Sequence, residues 1–159
     1  VDNSEHEYWM ALALEQAEKA WGMNEVPVGA IVVRNGEVIG EGYNQPISTH
    51  DPSAHAEIMA LRNAAQKVNN YRLPGSTLYV TLEPCTMCYG AMIHARIESL
   101  VFGACEPKAG VVCSADQIGE KGYFNHRIKV VKGVLESRCG GMLSDFFKAR
   151  RAQIKKASP

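Results

Sequence analysis

A single three-layered α/β domain, with a mixed sheet of about five strands covered by helices on both faces, is the fold the sequence predicts. Three observations carry that prediction. Helical and strand-like segments alternate in the order α-β-β-α-β-α-β-(α)-β-α, and no linker, internal repeat or low-complexity stretch divides them. The 159 residues are 46% hydrophobic and 21% charged, which suits one domain over 1–159 with an ordinary core and excludes a disordered or collagen-like chain. The longest apolar run, Val28 to Val33, falls well short of the roughly 20 residues of a membrane helix, and no basic-apolar-small leader opens the sequence. The expectation is a cytoplasmic protein without membrane contact.

Each element has a local cause. Ser4 and Glu7 form an S-x-x-E capping box, after which Trp9, Leu12, Ala13, Ala17 and Ala20 recur at helical spacing up to Trp21 and Gly22. Val28 to Arg34 and Glu37 to Tyr43 are β-rich runs separated by Asn35-Gly36. That dipeptide supplies positive φ at both central positions of a type I′ turn, so the two runs read as a hairpin. After a polar loop from Asn44 to His50, Asp51-Pro52 reads as N-cap and first-turn proline of a helix from Ser53 to about Val68. Thr77 to Thr81 is strand-like, and Pro84 plays the same first-turn part for a helix reaching about Arg96. Ser99 to Gly103 is another β-rich run, residues 104–127 show no clear pattern, Ile128 to Val131 reads as a strand, and Leu135 to about Lys156 reads as a long helix ending basic.

The formal net charge is zero, from 17 Lys+Arg against 17 Asp+Glu. The distribution is uneven. Residues 1–57 hold ten acids and two bases, and the remaining residues hold seven acids and 15 bases. Such asymmetry points to a charged partner and says nothing about fold.

Five cysteines are an odd count in a domain that needs no staples, which favours reduced thiols over a disulfide framework. Cys85 and Cys88 stand in Pro84-Cys85-Thr86-Met87-Cys88, 30 residues after His55 in His55-Ala56-Glu57. On a helix, positions i and i+3 share a face about 4.5 Å apart along the axis, which suits two thiolates on one tetrahedral zinc. A lone C-x-x-C also serves redox sites and halves of structural zinc sites; the preceding proline and the absence of a separate thioredoxin-like βαβ unit disfavour the redox use. A structural site wants a fourth protein ligand, whereas one His and two Cys leave a position for water. Residues i and i+2 of a helix face nearly opposite ways, so His55 and Glu57 address one metal only from a first turn, which Asp51-Pro52 predicts. There Glu57 can accept the proton of an acidified water. The competing reading makes His55 a core histidine and Glu57 a solvated charge; the neighbouring P-C-x-x-C argues against it.

These residues compose the H-x-E…P-C-x-x-C signature of the zinc-dependent nucleobase deaminases, and the resemblance runs further. Val26-Pro27-Val28-Gly29-Ala30, Gly42-Tyr43-Asn44, His50-Asp51-Pro52, the stretch from Ala54 to Leu61, Asn70-Tyr71-Arg72-Leu73, the stretch from Leu78 to Cys85, Gly90-Ala91-Met92-Ile93-His94, Asn125-His126 and Leu143-Ser144-Asp145-Phe146-Phe147 are similar to the bacterial tRNA-specific adenosine deaminases, in order, over nearly the whole chain. The resemblance implies a cytidine-deaminase-like three-layer α/β/α sandwich, one Zn²⁺ per chain held by His55, Cys85 and Cys88, and a homodimer for which Met87, Tyr89 and Met92 offer apolar surface. It implies that the wobble adenosine of a tRNA anticodon stem-loop is converted to inosine. A zinc-activated water attacks C6 of the flipped-out base, and Glu57 shuttles the proton first to the ring nitrogen and then to the leaving amine.

By the same resemblance, Asn44 hydrogen-bonds the nucleoside, Ala56, Pro27 and Val28 form the adenine pocket, and Glu106, Lys108 and Asn125 contact the flanking sugar-phosphate and nucleotides. Phe146 and Phe147 followed by Lys148, Arg150 and Arg151 suit single-stranded RNA, where bases stack on rings and phosphates meet guanidinium groups. Packing of both phenylalanines into the core is the competing reading. Two departures stand out: Glu106 occupies a position where the family usually has Asp, and Val111-Val112-Cys113 replaces a Gly-rich run. Cys105, Cys113 and Cys139 match no ligand position and read as small buried or half-exposed thiols. Two other functions use parts of the same pattern: a deaminase of free bases or nucleotides shares the zinc set and Glu57, and a non-catalytic RNA-binding subunit shares the zinc but has no use for Glu57.

Overall fold

Asn35 and Gly36 both adopt positive φ, 53° and 72°, as a type I′ turn requires. The chain reverses there, and β1 (Gly29–Arg34) pairs antiparallel with β2 (Glu37–Tyr43). In this computed structural model, which describes residues 3–157, β1 pairs on its other side, again antiparallel, with β3 (Thr77–Leu82). From β3 outward the pairing is parallel, through β4 (Ser99–Ala104) to the three-residue edge strand β5 (Lys129–Val131). The sheet is mixed and five-stranded, in the order β2-β1-β3-β4-β5.

Among the described residues, α1 (Asn3–Gly22), α3 (Ala56–Val68), α4 (Thr86–His94) and α5 (Glu136–Ala157) cover it, and the single turn α2 (Pro46–Thr49) follows β2 at its edge. Period-two alternation along the strands divides the core between two faces. Ala30, Val32, Leu78, Val80, Leu100 and Phe102 pack with Ala60, Leu61, Ala64, Met92 and Ile93 of α3 and α4. Ile31, Val33, Tyr79 and Val101 pack with Met10, Ala13 and Leu14 of α1 and Cys139 of α5. The result is the three-layer sandwich expected from the sequence. No helix of the described residues is long and apolar enough to cross a membrane.

Helix boundaries depart from the sequence reading where a side chain offers the backbone another partner. Asp51 Oδ1 accepts from the Ser53 N–H at 2.9 Å and the Ser53 hydroxyl at 2.7 Å. That local turn keeps Asp51 to Ala54 out of the helix, so α3 starts at Ala56 with His55 as its N-cap. Likewise Cys85 is the N-cap of α4 and Pro84 precedes it, rather than opening the first turn. The loop from Asn44 to His50 contains α2, because Pro46 supplies its first position and the buried Glu25 carboxylate accepts from the N–H groups of Ile47 and Ser48 at 3.3 and 2.7 Å. Residues 105–127 are irregular apart from a 3₁₀ turn at Ile118–Glu120, and Ala104, which the sequence left without a pattern, closes β4. Helix α1 already includes Asn3, so Ser4 lies inside its first turn, and the position before Asn3 lies outside the described residues.

Close contact between α3 and β2 rests on glycine. A Cβ on Gly42 would run into the Ala60 nitrogen, the Met59 Cβ and the Ala56 carbonyl, and one on Gly40 into the backbone of Ala60 and Ala64. Gly42→Ala is expected to destabilise the fold by about 1–3 kcal/mol as α3 is forced outward. Gly141→Ala, in α5 with open space around the added methyl, is expected to stabilise it by up to about 1 kcal/mol. Chemical denaturation of the two variants checks both signs.

Candidate active site

The site occupies one end of the sheet. β1 runs opposite to β3, so the start of β1 and the ends of β2, β3 and β4 lie together. A cavity of about 310 Å³ opens there, walled by Val26 and Val28 before β1, Asn44 and Pro46 after β2, Leu82 and Glu83 at the end of β3, and Glu106 and Ala109 after β4, with His55, Glu57 and Cys85 completing it. Ligand sites at the carboxyl ends of parallel strands are the general outcome in open α/β sheets.

Helices α3 and α4 both begin at this cavity. Their N-cap residues, His55 and Cys85, have extended backbones and make no side-chain cap hydrogen bond. The ring and the thiol therefore turn toward each other. His55 Nδ1 lies 3.6 Å from Cys85 Sγ and 3.5 Å from Cys88 Sγ, and the three ligand atoms fall within 4.8 Å of one another. Bonds of roughly 2.0–2.1 Å to nitrogen and roughly 2.3 Å to sulfur at a tetrahedral zinc separate N from S by about 3.6 Å. The three residues fit the ion.

The electrostatics follow from the same geometry. A hydrogen bond from the Cys88 thiol, helped by the His55 ring, pulls Cys85 down to about 4, while the same bond and burial push Cys88 up. The bond therefore favours the thiolate on Cys85, and the Cys85 sulfur raises His55 in turn. Two helix N-termini favour that negative charge. Glu57 is 4% exposed, and burial pushes its carboxyl up to about 7.

Asn44 is placed by two bonds. Its N–H donates to the Val28 carbonyl at 3.1 Å, and its Oδ1 accepts from the Ala56 N–H at 2.8 Å. Ala56 is buried and its N–H is committed to Asn44. Val28 lines the cavity, whereas Pro27 is buried and is not part of its lining. Glu106 lines the cavity and accepts from the Lys108 N–H at 2.9 Å; the Lys108 and Asn125 side chains are exposed outside its lining.

The tail divides. Phe146 is 3% exposed, edge-on to Trp21, with the Arg150 guanidinium 5.0 Å over its ring and hydrogen-bonded to the Asn24 carbonyl at 3.2 Å. It fastens α5 to the end of α1 and presents no face to a base. Phe147 is 40% exposed, and Arg151 is exposed.

Sequence reasoning missed two buried carboxylates. Glu25 holds α2, hence Pro46, over the cavity. Glu83 accepts from the N–H groups of Glu106, Val112, Cys113 and Ser114 at 3.1, 3.0, 2.8 and 3.0 Å, and from the Ser114 hydroxyl. Burial opposes its ionisation, but the Cys113 N–H and its companions outweigh that and hold the carboxyl below the usual range. Gly110 is required beneath it, since a Cβ there would strike the carboxyl group and the Glu106 carbonyl. The only sequence signal for Glu83 is its place beside Pro84-Cys85.

Residues 3–104 match the family model for the cytidine and deoxycytidylate deaminase zinc-binding region. The chain belongs to this family. Within it, the tRNA-specific adenosine deaminase of Haemophilus influenzae is 51% identical over 150 residues, covering 94% of this chain and 87% of that one. The enzyme of the same name from Bacillus subtilis is 44% identical, covering 97% and 96%. Among solved structures, one from work on A-to-I editing by tRNA:A34 deaminases at the wobble position of transfer RNA superposes with a TM-score of 0.83 at 41% identity, covering 85% of this chain and 98% of that chain. A guanine deaminase from Nitrosomonas europaea gives 0.75 at 26% identity, covering 88% and 83%. Zinc dependence and deaminase chemistry are properties of the family to which the chain belongs.

Glu83→Ala removes the acceptor for four N–H groups at once. It is expected to cost roughly 2–4 kcal/mol, since each buried donor left unpaired costs about 1–3 kcal/mol and some will reach water. Amide exchange of Val112 to Ser114 should accelerate while about one zinc per chain is retained; exchange as slow as in the parent chain would remove Glu83 from its role as the loop's anchor.

Proposed function

We propose that this chain hydrolytically deaminates adenosine to inosine at the wobble position of a tRNA anticodon loop, with His55, Cys85 and Cys88 holding zinc and Glu57 moving the proton. One observation carries the reading: a buried carboxylic acid stands beside a His/Cys/Cys set at the floor of an open cavity, in a chain 51% and 44% identical to tRNA-specific adenosine deaminases. A bound zinc supplies Lewis-acid activation of water. Glu57 takes the proton of the water that adds to C6 of the base and delivers it to the adjacent ring nitrogen; it then takes the proton of the new C6 hydroxyl and passes it to the amine, so that the C6–N bond breaks, ammonia leaves and the C6 carbonyl of inosine forms.

Asn44 orients the base. Its Oδ1 is held by Ala56 N–H, which leaves its amide N–H donors for an acceptor on the purine, while Val26 and Val28 cover the ring. A site that hydrogen-bonds its substrate rejects analogues lacking the partner group far better than an apolar wall does. Glu106, Lys108 and Asn125 are assigned to the flanking nucleotides, and Phe147 and Arg151 to RNA beyond the loop. Phe146 and Arg150 position α5.

The chain works as a homodimer in the cytoplasm. Tyr89 and Met92, offered by the sequence as dimer surface, are buried in the chain's own core. The candidate surface is the outer side of α3 and α4, where a groove of about 340 Å³ is lined by Ile58, Leu61, Tyr71, Ala91 and His94, with the half-exposed Met87 on the same helix.

Glu57→Ala is expected to retain about one zinc per chain and RNA binding while losing roughly 10²–10⁴-fold or more in turnover; loss of zinc together with activity would assign Glu57 to structure. Single-turnover assay on an anticodon stem-loop beside free adenosine, guanine, cytosine and dCMP should give inosine in the RNA alone, and turnover of a free base with none on the stem-loop would sink the tRNA reading. Arg151→Ala should weaken tRNA binding and flatten its salt dependence by about one phosphate contact. Arg150→Ala should instead lower stability, through the loss of its packing on Phe146.

A further inference from the structure

Outside the zinc site, the described residues contain one other grouping of metal-type side chains: Glu83, Cys105 and Cys113, whose ligand atoms lie within 4.8 Å of one another. Glu83 is not free to serve there. Its two oxygens already accept five hydrogen bonds, from the Glu106, Val112, Cys113 and Ser114 N–H groups and the Ser114 hydroxyl. What remains is a pair of thiols, brought together because the Glu83 carboxylate folds residues 106–114 back onto the end of β4. We propose that Cys105 and Cys113 form an oxidant-responsive dithiol that closes to an intrachain disulfide across the cavity-wall loop.

The geometry and accessibility suit that modification. A disulfide requires sulfurs at about 2.05 Å, and the pair starts from no more than 4.8 Å. Both thiols are free, Cys105 exposed and Cys113 half-buried, so an oxidant reaches the first and the second stands beside it. Cys113 Sγ makes only a 4.0 Å approach to the Ser114 hydroxyl, which leaves the sulfur uncommitted. Burial and the nearby Glu83 raise the Cys113 thiol above its ordinary range, so Cys105, the exposed member of the pair, meets the oxidant first. Cys139 is 1% exposed, packed beneath Gly103, and stands apart from this chemistry, and Cys85 and Cys88 are committed to the metal set.

The step balances with a peroxide as oxidant. The Cys105 thiolate sulfur attacks one oxygen of hydrogen peroxide; an S–O bond forms, the O–O bond breaks, and hydroxide leaves as the sulfur is oxidised to a sulfenic acid. The Cys113 sulfur then attacks the Cys105 sulfur; the S–S bond forms, the S–O bond breaks, and the departing hydroxide takes the Cys113 proton and leaves as water. A dithiol reductant reverses the change by two thiol–disulfide exchanges. The nine-residue ring from Cys105 to Cys113 contains Glu106 and Ala109, both on the cavity wall, so oxidation restrains the wall without touching the zinc ligands.

Zinc-loaded protein treated with hydrogen peroxide and digested with trypsin tests this. Residues 97–108 and 109–121 are separate tryptic peptides, each with one cysteine. The expected result is a single species joining the two, lighter by two hydrogens than their sum and separated again by dithiothreitol, with zinc content unchanged. Amide exchange in 106–112 should slow several-fold in the oxidised protein, and Cys105→Ser or Cys113→Ser should abolish both changes. A Cys85–Cys88 disulfide with loss of zinc, an interchain disulfide, stable sulfenic or sulfinic acid at Cys105 without the joined peptides, or a second zinc equivalent that Cys105→Ser removes would each overturn the proposal. None of these readouts depends on the substrate.

Discussion

The molecule depends on two helices that begin at the same point and leave their own N-caps unmade. An N-cap side chain normally bonds the first free N–H groups of its helix, a contact of about 1 kcal/mol. His55 and Cys85 make no such bond, because the ring and the sulfur face each other at 3.6 Å. Zinc binding releases far more free energy than two caps supply, about 10–16 kcal/mol in small structural sites, so the sacrifice is affordable once the metal is held. The loss is also partly made good. Asn44 Oδ1 reaches in from the end of β2 and accepts from the Ala56 N–H, satisfying one of the free donors of the first turn. The residue assigned to orient the base is thereby fixed to the residue next to the metal ligand, so one hydrogen bond sets the pocket relative to the metal set.

Three buried carboxylates surround that point, and their environments assign them different work. Glu25 and Glu83 each face several N–H donors and act as anchors, one for α2 and one for the loop after β4. Glu57 has no comparable set of donors. Burial raises it, whereas the donors around Glu83 lower that group despite burial. Environments that push carboxyl groups apart in this way separate proton carriers from fixed charges. The anchoring acids shape the cavity wall, and the third is the one proposed to carry the proton.

How much of this was legible followed from the range of the interactions. The Asn35-Gly36 turn, the strand alternation and the His55, Glu57, Cys85, Cys88 set are written in neighbouring residues, and they are where the fold places them. Helix starts were misplaced by a few residues because Asp51 can cap a helix or close a turn with Ser53, and the choice depends on where His55 must point. The loop after β4 gave no pattern because its order comes from Glu83, more than 20 residues earlier in the chain. Phe146 and Phe147 are indistinguishable as letters; which one is buried is decided by Trp21 and Asn24 at the far end of the sequence. For the same reason Cys105 and Cys113 read only as small buried or half-exposed thiols, whereas Cys105 is exposed and stands beside Cys113.

The neutral total of the sequence also changes meaning once burial is known. Every charged residue among the buried polar groups, Glu25, Glu57 and Glu83, is an acid. No lysine or arginine of the described residues is buried with them. The surface that a polyanion meets is therefore more positive than the formal sum of zero, and the excess lies in the part of the chain after residue 57. Two thiolates offset a zinc ion, so the metal centre adds little to this balance. Attraction to RNA at large is weak when few phosphates are neutralised at once. What the distribution supports is engagement of one loop at one end of the sheet, with affinity supplied by the cavity and a few flanking cations rather than by a basic surface.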